Sequence, residues 1–278
     1  MASTAKRLLE QLSRPGPYDV LRGDLALVGL PGVVFTPSTG FNLPAVAFGH
    51  GWLQPPGRYH GLLRHLASWG IVAAAPATHG GPLPSHRLFA ADLRSTLDLV
   101  TTLRLGPDGI SVDPTKLGLA GHSIGGGAAI LAAAPGEGAG DDARQVKAVA
   151  TVAATQTMPP ATTAARKITA VGLHLAGDDD LLAPAKGNAE VITKEWAGPA
   201  QLRVIPKMTH LGVTEGTHWS RLLLQGKPQH TVQRRVRALF TAFFLTTLAG
   251  DDTYRELLDT DLKAARIEYD NRAALTNA

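Results

Sequence analysis

Short apolar runs alternate with helix-length amphipathic segments along most of the chain, and this order constrains the fold more than any other feature of the sequence. Several of the runs are four to seven residues long, nearly continuously apolar and bounded by Gly or Pro, as expected for strands buried on both faces. The runs cover residues 25–35, 45–48, 71–75, 117–120, 146–152, 170–175 and 202–205, and the longer segments cover residues 58–69, 85–105, 124–134, 184–196 and 232–248. The alternation predicts βαβ units, and therefore a three-layer α/β fold with a mostly parallel sheet between two layers of helices.

The organisation of the chain predicts one domain. It has 278 residues, no internal repeat and no Pro/Gly/Ser linker that would separate two units, and α/β folds often reach about 250 residues as one unit. We therefore expect a single domain over residues 1–278, with an N-terminal segment 1–20 and a C-terminal extension 250–278. The break at Pro31-Gly32 predicts an antiparallel hairpin at the sheet edge. The stretch 153–168 is too short for a lid domain, which predicts an open, shallow site.

The residue inventory excludes several classes of chemistry. There is no cysteine, so a thiol nucleophile, a disulfide scaffold and a thiolate zinc site are excluded. His50, His79, His86 and His122 lack the spacing of a zinc site, and no glycine-rich nucleotide motif is present. We therefore expect neither a metal nor a cofactor.

Charge and hydropathy argue against nucleic-acid and membrane partners. The net charge is +4, but residues 251–278 carry −3 and the rest of the chain +7. The basic cluster Arg234, Arg235 and Arg237 has no interleaved aromatic residue, so we interpret it as a solvated helix face. The longest apolar stretch, residues 238–249, contains three threonines and is shorter than the roughly 20 residues that span a bilayer. The first 16 residues lack the apolar run of a signal peptide, so a cytoplasmic protein is expected.

A serine lies where a buried strand is followed by a helix. The segment 117–130 contains Gly121-His-Ser123-Ile-Gly125, a G-x-S-x-G motif. In such a turn the serine hydroxyl is held clear of the sheet, and glycines on either side allow helix and strand to approach closely. The backbone N–H of Ile124, at the start of the helix, then points at a developing oxyanion. The pattern predicts that Ser123 is a nucleophile.

A serine nucleophile requires a base and an orienting carboxylate, which follow in the chain order Ser, acid, His in this kind of fold. A carboxylate-rich loop follows the run 170–175, and Asp180 is favoured there over Asp178 because it lies deeper in the loop. His210 follows the run 202–205 and is favoured over His218 and His230, which follow no strand.

These segments resemble a known family. Residues 112–133, the loop 180–184 and Thr209-His210 are similar to the corresponding motifs of bacterial cutinase-like serine esterases, the α/β-hydrolase group that includes polyester hydrolases. The likeness covers residues 35–257 and implies a three-layer α/β-hydrolase fold without a substantial lid. It also implies Ser123 as nucleophile, Asp180 as acid and His210 as base.

The resemblance further implies an oxyanion loop. Phe48-Gly-His-Gly51-Trp52 matches the family's loop, so the backbone N–H of Trp52 would be the second oxyanion donor beside Ile124. Gly51 is expected there because a side chain would block the backbone from the substrate oxygen. Polyester-active members carry a tryptophan after the strand that corresponds to 146–152, but Ala153 to Met158 contain none. We therefore expect no tight binding of an aryl polyester.

The sequence thus predicts a serine hydrolase that cleaves small-molecule carboxylic esters of short to medium acyl chain through an acyl-enzyme. The alternatives are a chlorophyllase- or dienelactone-hydrolase-like carboxylesterase, and an acyltransferase on the same scaffold. A non-catalytic binding protein would be expected to lack one of the three residues Ser123, Asp180 and His210, and all three are present. The sequence gives no indication of the oligomeric state.

Overall fold

Nine strands form one sheet at the centre of the protein, in a computed structural model that describes residues 4–135 and 145–272. The strands lie in the order β1-β2-β4-β3-β5-β6-β7-β8-β9. They are β1 Val20–Asp24, β2 Gly32–Pro37, β3 Leu43–Gly49, β4 Val72–Pro76, β5 Val112–His122, β6 Val146–Val152, β7 Val171–Gly177, β8 Ala200–Ile205 and β9 Arg266–Asp270. The six strands from β4 to β8 in this order are parallel, whereas β1, β2 and β9 pair antiparallel at the two edges.

Eight α-helices cover the two faces of the sheet within the described residues. They are α1 Thr4–Leu12, α2 His60–Ser68, α3 His86–Thr102, α4 Ile124–Ala133, α5 Ala161–Ala165, α6 Ala189–Lys194, α7 His230–Phe244 and α8 Arg255–Asp259. Helices α1, α2, α7 and α8 pack together on one face, and α3 to α6 pack on the other. This arrangement is an α/β-hydrolase fold, as predicted.

The central strands are buried on both faces, which explains why their sequences are continuously apolar. In β3, Val46 and Phe48 belong to the core beneath α2 and α7, whereas Ala45 and Ala47 belong to the core beneath α3 and α4. Side chains of a strand alternate between faces, so each parallel strand contributes to both cores. The carboxyl ends of β3, β5, β7 and β8 meet at one edge, which is where ligands bind in sheets of this kind.

The antiparallel hairpin lies at the sheet edge as predicted, but the strand predicted over residues 25–35 is wrong in its bounds. Leu25–Val28 forms a 3₁₀ turn between β1 and β2. The Asp24 carboxylate accepts a hydrogen bond from the Ala26 N–H at 2.9 Å, and Gly29 closes the turn with a φ of 89°. A capped turn therefore replaces the strand, although its residues are apolar.

Other elements also differ from the sequence expectation. The helix predicted over 184–196 is reduced to Ala189–Lys194, because Gly187 has a φ of 89°. The stretch 153–168 contains the short helix α5, which the sequence did not predict. The C-terminal extension forms α8 and then the edge strand β9. The single domain that the sequence predicts stays a prediction.

Candidate active site

Ser123 lies in a strained turn between β5 and α4. Its φ is 55° and its ψ is −126°, a backbone conformation that residues with a side chain rarely adopt. The turn is possible because a Cβ atom at Gly125 would overlap the carbonyl oxygen of Gly49, and a Cβ atom at Gly121 would overlap that of Gly125. The two glycines therefore allow the close approach of helix and strand that the sequence predicts.

The predicted nucleophile, base and acid are joined by hydrogen bonds. Ser123 Oγ lies 2.9 Å from His210 Nε2, and His210 Nδ1 lies 2.9 Å from Asp180 Oδ2. The three residues come from the loops after β5, β8 and β7, parallel strands whose carboxyl ends lie at the same edge of the sheet. All three are buried, with 4% or less of each residue exposed to solvent. In this arrangement Ser123 Oγ–H donates to an imidazole whose other nitrogen donates to a carboxylate.

Main-chain groups stabilise the charge on Asp180. Its Oδ1 accepts hydrogen bonds from the N–H groups of Leu182 at 3.0 Å and Ala183 at 2.8 Å. Burial by itself raises the pKa of Asp180, but the hydrogen bonds from His210, Ala183 and Leu182 outweigh it and lower the pKa below the ordinary value of 3.8. The carboxylate is therefore ionised at neutral pH and keeps the His210 proton on Nδ1.

The alternative acid and base positions lie elsewhere. Asp178 is exposed, and its carboxylate accepts a hydrogen bond from the Lys207 N–H in the loop after β8. The ring of His218 contacts the Ser220 hydroxyl at 2.9 Å, and His230 is exposed at the first turn of α7. The structure therefore brings Asp180 and His210 to Ser123, whereas Asp178, His218 and His230 have other surroundings.

The loop after β3 is fixed by polar contacts to the loop after β4. His50 Nε2 lies 2.7 Å from the Thr78 carbonyl, and the Trp52 indole N–H donates to the Pro82 carbonyl at 3.1 Å. Trp52 lines the same cavity as Ser123. Ile124 lies in the first turn of α4, where backbone N–H groups have no intrahelical acceptor. The two predicted oxyanion donors therefore belong to two residues that line the cavity beside Ser123.

The expected reason for Gly51 is wrong. A Cβ atom there would lie 2.7 Å from His122 Nδ1 and 3.0 Å from the Tyr59 hydroxyl oxygen. Both atoms belong to fully buried residues. Glycine is therefore required by packing against the protein interior, and the substrate side of the loop does not explain it.

A cavity of about 230 Å³ opens beside Ser123. Its wall is mainly apolar and comprises Trp52, Gln54, His122, Ile124, Thr155, Leu182, His210, Leu211 and Leu224 in addition to the serine. The volume lies below the roughly 300 to 1,000 Å³ of pockets for drug-sized ligands. The cavity is suited to a small apolar group attached to the atom that Ser123 attacks.

Part of the cavity wall comes from residues that the sequence analysis did not consider. Leu224 belongs to the segment between His210 and α7, and hydrogen bonds anchor this segment near the site. Gln54 Nε2–H donates to Ser220 Oγ at 2.8 Å, and the Leu181 N–H donates to Gln225 Oε1 at 2.7 Å. The expectation of an open, shallow site considered cover from residues 153–168 only and missed this segment. Leu182 and Leu211 could have been found, since each lies within two positions of a predicted site residue.

The histidines weighed as metal ligands have other partners. Within residues 4–135 and 145–272, no group of three His, Cys, Asp or Glu side chains is arranged to hold a metal ion. His79 lies 3.3 Å from Asp92, and His86 Nδ1 accepts a hydrogen bond from the Met158 N–H at 3.0 Å.

Across residues 4–135 and 145–272, no helix has the length and hydropathy needed to cross a membrane.

The fold, with a serine on a strained strand-to-helix turn, places the chain among proteins of the α/β-hydrolase type. The chlorophyllase family model matches residues 24–161. This range includes Trp52, Ser123 and Ile124 and ends before Asp180 and His210. The match supports a hydrolase of the carboxylic-ester type and gives no separate support for the cutinase-like subtype. No curated protein matches the chain.

Proposed function

We propose that this protein is a cutinase-like serine hydrolase that cleaves small carboxylic esters with short to medium acyl chains. The observation that carries the proposal is the chain of hydrogen bonds from Ser123 Oγ through the His210 imidazole to Asp180, with 2.9 Å at each step. The chlorophyllase family match and the resemblance of the motifs to cutinase-like esterases support the same class of reaction.

The proposed reaction passes through an acyl-enzyme. Ser123 Oγ attacks the ester carbonyl while His210 Nε2 accepts its proton, and the resulting oxyanion is stabilised by the backbone N–H groups of Trp52 and Ile124. The tetrahedral intermediate collapses as His210 protonates the departing alcohol. A water molecule then attacks the acyl group with His210 as base, and the second collapse releases the acid and returns the proton to Ser123.

Asp180 has an orienting role in this mechanism. Its carboxylate holds the His210 proton on Nδ1, so that Nε2 is free to accept the proton of Ser123. The imidazolium that forms during the attack lies next to an ionised, buried carboxylate and is stabilised by it.

The size and apolar wall of the cavity favour the binding of an apolar acyl group of limited length. Its volume of about 230 Å³ is bounded by the side chains of Leu182, Leu211 and Leu224 together with the Trp52 ring. Leu181, Leu182, Leu222 and Leu223 are exposed on the two loops that border the opening. An ester whose alcohol or acyl part is apolar would cover these side chains when bound.

A panel of p-nitrophenyl esters from acetate to palmitate tests the proposal. We expect hydrolysis with a preference for short and medium chains, and Ser123→Ala should abolish it while the circular dichroism spectrum stays unchanged. Ser111→Ala changes a buried serine at the opposite end of β5 and should retain full activity. Activity in Ser123→Ala equal to that of the wild type would contradict the proposal.

A chlorophyllase-like carboxylesterase is the second candidate, because the chlorophyllase family model matches residues 24–161. Addition of chlorophyll to the ester panel separates the two candidates, since the second predicts faster cleavage of chlorophyll than of any simple ester. Product analysis with an added alcohol distinguishes hydrolysis from acyl transfer on the same scaffold.

A further inference from the structure

A buried chain of hydrogen bonds runs from the loop after β3 to the main chain of His210. The Gly51 N–H donates to the Tyr59 hydroxyl oxygen at 3.0 Å. The Tyr59 hydroxyl lies 2.8 Å from His122 Nδ1, and His122 Nε2 lies 2.9 Å from the carbonyl oxygen of His210. Tyr59 and His122 are both fully buried, and the proposed mechanism uses neither side chain.

The chemistry of the partners allows one arrangement of the protons. The His210 carbonyl can only accept, so His122 Nε2 must carry a proton. Burial lowers the pKa of His122 to about 3, so the ring is neutral near pH 7 and its Nδ1 is an acceptor. The Tyr59 hydroxyl therefore donates to Nδ1 and accepts from the Gly51 N–H.

One end of this chain fixes the peptide that carries a proposed oxyanion donor. Gly51 is held at its N–H by Tyr59 and at its carbonyl oxygen by the Gln54 N–H at 3.0 Å. The carbonyl of Gly51 and the N–H of Trp52 belong to the same planar peptide group. Because both sides of Gly51 are fixed, the direction of the Trp52 N–H is fixed as well.

The other end acts on the loop that carries the proposed base. His122 directly precedes Ser123 and donates to the main chain of His210, and the two imidazole rings lie 4.9 Å apart. The network is tightly packed, because a Cβ atom on Gly51 would lie 2.7 Å from His122 Nδ1. His122 is the last residue of β5. Its ring thus links this strand to the His210 loop and, through Tyr59, to the loop that carries Trp52.

We infer that Tyr59 and His122 are positioning residues that couple the Trp52 loop to the His210 loop. Through this coupling, the Trp52 N–H and the His210 imidazole keep their positions relative to Ser123. The roles of Trp52, Ser123 and His210 in this inference rest on the proposed function. The alternative is that both rings only fill the core, since Tyr59 also packs on Phe48 with 4.9 Å between ring centroids.

Tyr59→Phe separates the two interpretations because it keeps the ring and removes only the hydroxyl. The Gly51 N–H and His122 Nδ1 then lose their shared partner. We expect kcat for a short p-nitrophenyl ester to fall by about tenfold or more with KM within about twofold, since the oxyanion donors act mainly in the transition state. A purely packing role predicts kcat within about twofold of the wild type.

A pair of variants at His122 adds a rescue test. His122→Gln can donate to the His210 carbonyl and accept from Tyr59, whereas His122→Leu can do neither. We expect higher kcat in the glutamine variant than in the leucine variant. His174→Leu is the matched control, because His174 is equally buried and bonds to Thr151 outside the network. An equal loss of kcat in His174→Leu and His122→Leu would overturn the inference.

Amide hydrogen exchange gives a readout that does not depend on the reaction. In Tyr59→Phe we expect faster exchange in both segments 48–54 and 207–213, and in His174→Leu neither should change. Faster exchange in 48–54 alone, or in neither segment, would overturn the coupling. A wild-type protein without esterase activity would instead count against the proposed function, and the exchange result would still decide the coupling.

Discussion

At the scale of single residues, a few apolar side chains bound the cavity beside Ser123, in which the acyl group of the proposed ester would bind. Leu224 is half-buried in the cavity wall and comes from the segment after His210, whereas Leu222 on the same segment is 81% exposed and does not line the cavity. Leu224→Ala shortens a side chain in the wall and so enlarges the cavity beyond about 230 Å³. Longer acyl chains should then fit.

We expect Leu224→Ala to raise the ratio of kcat/KM for octanoate over butyrate esters by about tenfold, because one methylene in an apolar pocket changes discrimination by about 10-fold or more. The measurement is a chain-length series with p-nitrophenyl esters. Leu222→Ala is the matched control and should leave the ratio unchanged. The account of the cavity is contradicted if both variants shift the ratio equally or if Leu224→Ala leaves it at the wild-type value.

At the scale of elements, a buried arginine adds to the strand pairing that attaches the C-terminal extension to the sheet. Arg203 on β8 is fully buried, and its guanidinium donates to main-chain carbonyls in and between α8 and β9. The acceptors are the carbonyls of Leu257, Leu258, Thr260 and Ala265. Burial lowers the pKa of Arg203 to about 10, so the group is charged at neutral pH. The acidic residues of the extension, Asp259, Asp261 and Asp270, lie near enough to favour that charge.

Arg203→Met should therefore destabilise the protein by about 3 kcal/mol or more, since it leaves several buried carbonyls without a donor. Urea unfolding measures the free energy, and limited proteolysis should show earlier cleavage within α8 and β9. Arg166→Met is the control, because Arg166 forms an exposed ion pair with Glu195 at 2.5 Å and should change stability by about 0.5 kcal/mol or less. Equal stabilities of Arg203→Met and the wild type would show that the extension is held by other contacts.

The sequence predicts elements well where burial sets the pattern and poorly where it does not. The central strands were found because they are apolar on both faces. The edge strands β1 and β9 were missed because their sequences, Val-Leu-Arg-Gly-Asp and Arg-Ile-Glu-Tyr-Asp, are half polar and partly exposed. Leu25–Val28 was mistaken for a strand because apolar composition does not reveal a capped turn.

The same distinction applies to the candidate site. Ser123, Asp180 and His210 could be proposed from their order because each follows a buried strand. Tyr59 and Leu224 could not be found in this way, because neither follows a predicted strand and both reach the site only through tertiary packing.

At the scale of the whole molecule, buried histidines make stability depend on pH. His65, His122 and His174 are buried, and burial lowers their pKa values from 6.5 to about 4, about 3 and about 3. Below pH 6.5 the unfolded chain binds protons at these rings that the folded protein does not. Their contribution to stability is therefore complete above pH 6.5 and is lost progressively as the pH falls, down to about 4 for His65 and about 3 for His122 and His174.

We expect the free energy of unfolding to decrease by about 1.4 kcal/mol per pH unit for each of these histidines between pH 6 and pH 5. Urea unfolding over this interval measures the slope. His174→Gln should make the slope shallower by one histidine. A slope in His174→Gln identical to that of the wild type would contradict this account.

The central claim, that Ser123 forms an acyl-enzyme, is tested most directly by trapping the intermediate. The protein is mixed with p-nitrophenyl butyrate, quenched in acid within the first turnover, digested and analysed by mass spectrometry. The account predicts one butyryl group on the peptide that contains Ser123, and none in Ser123→Ala. An acyl group on another residue, or turnover without any acylated peptide, would contradict it.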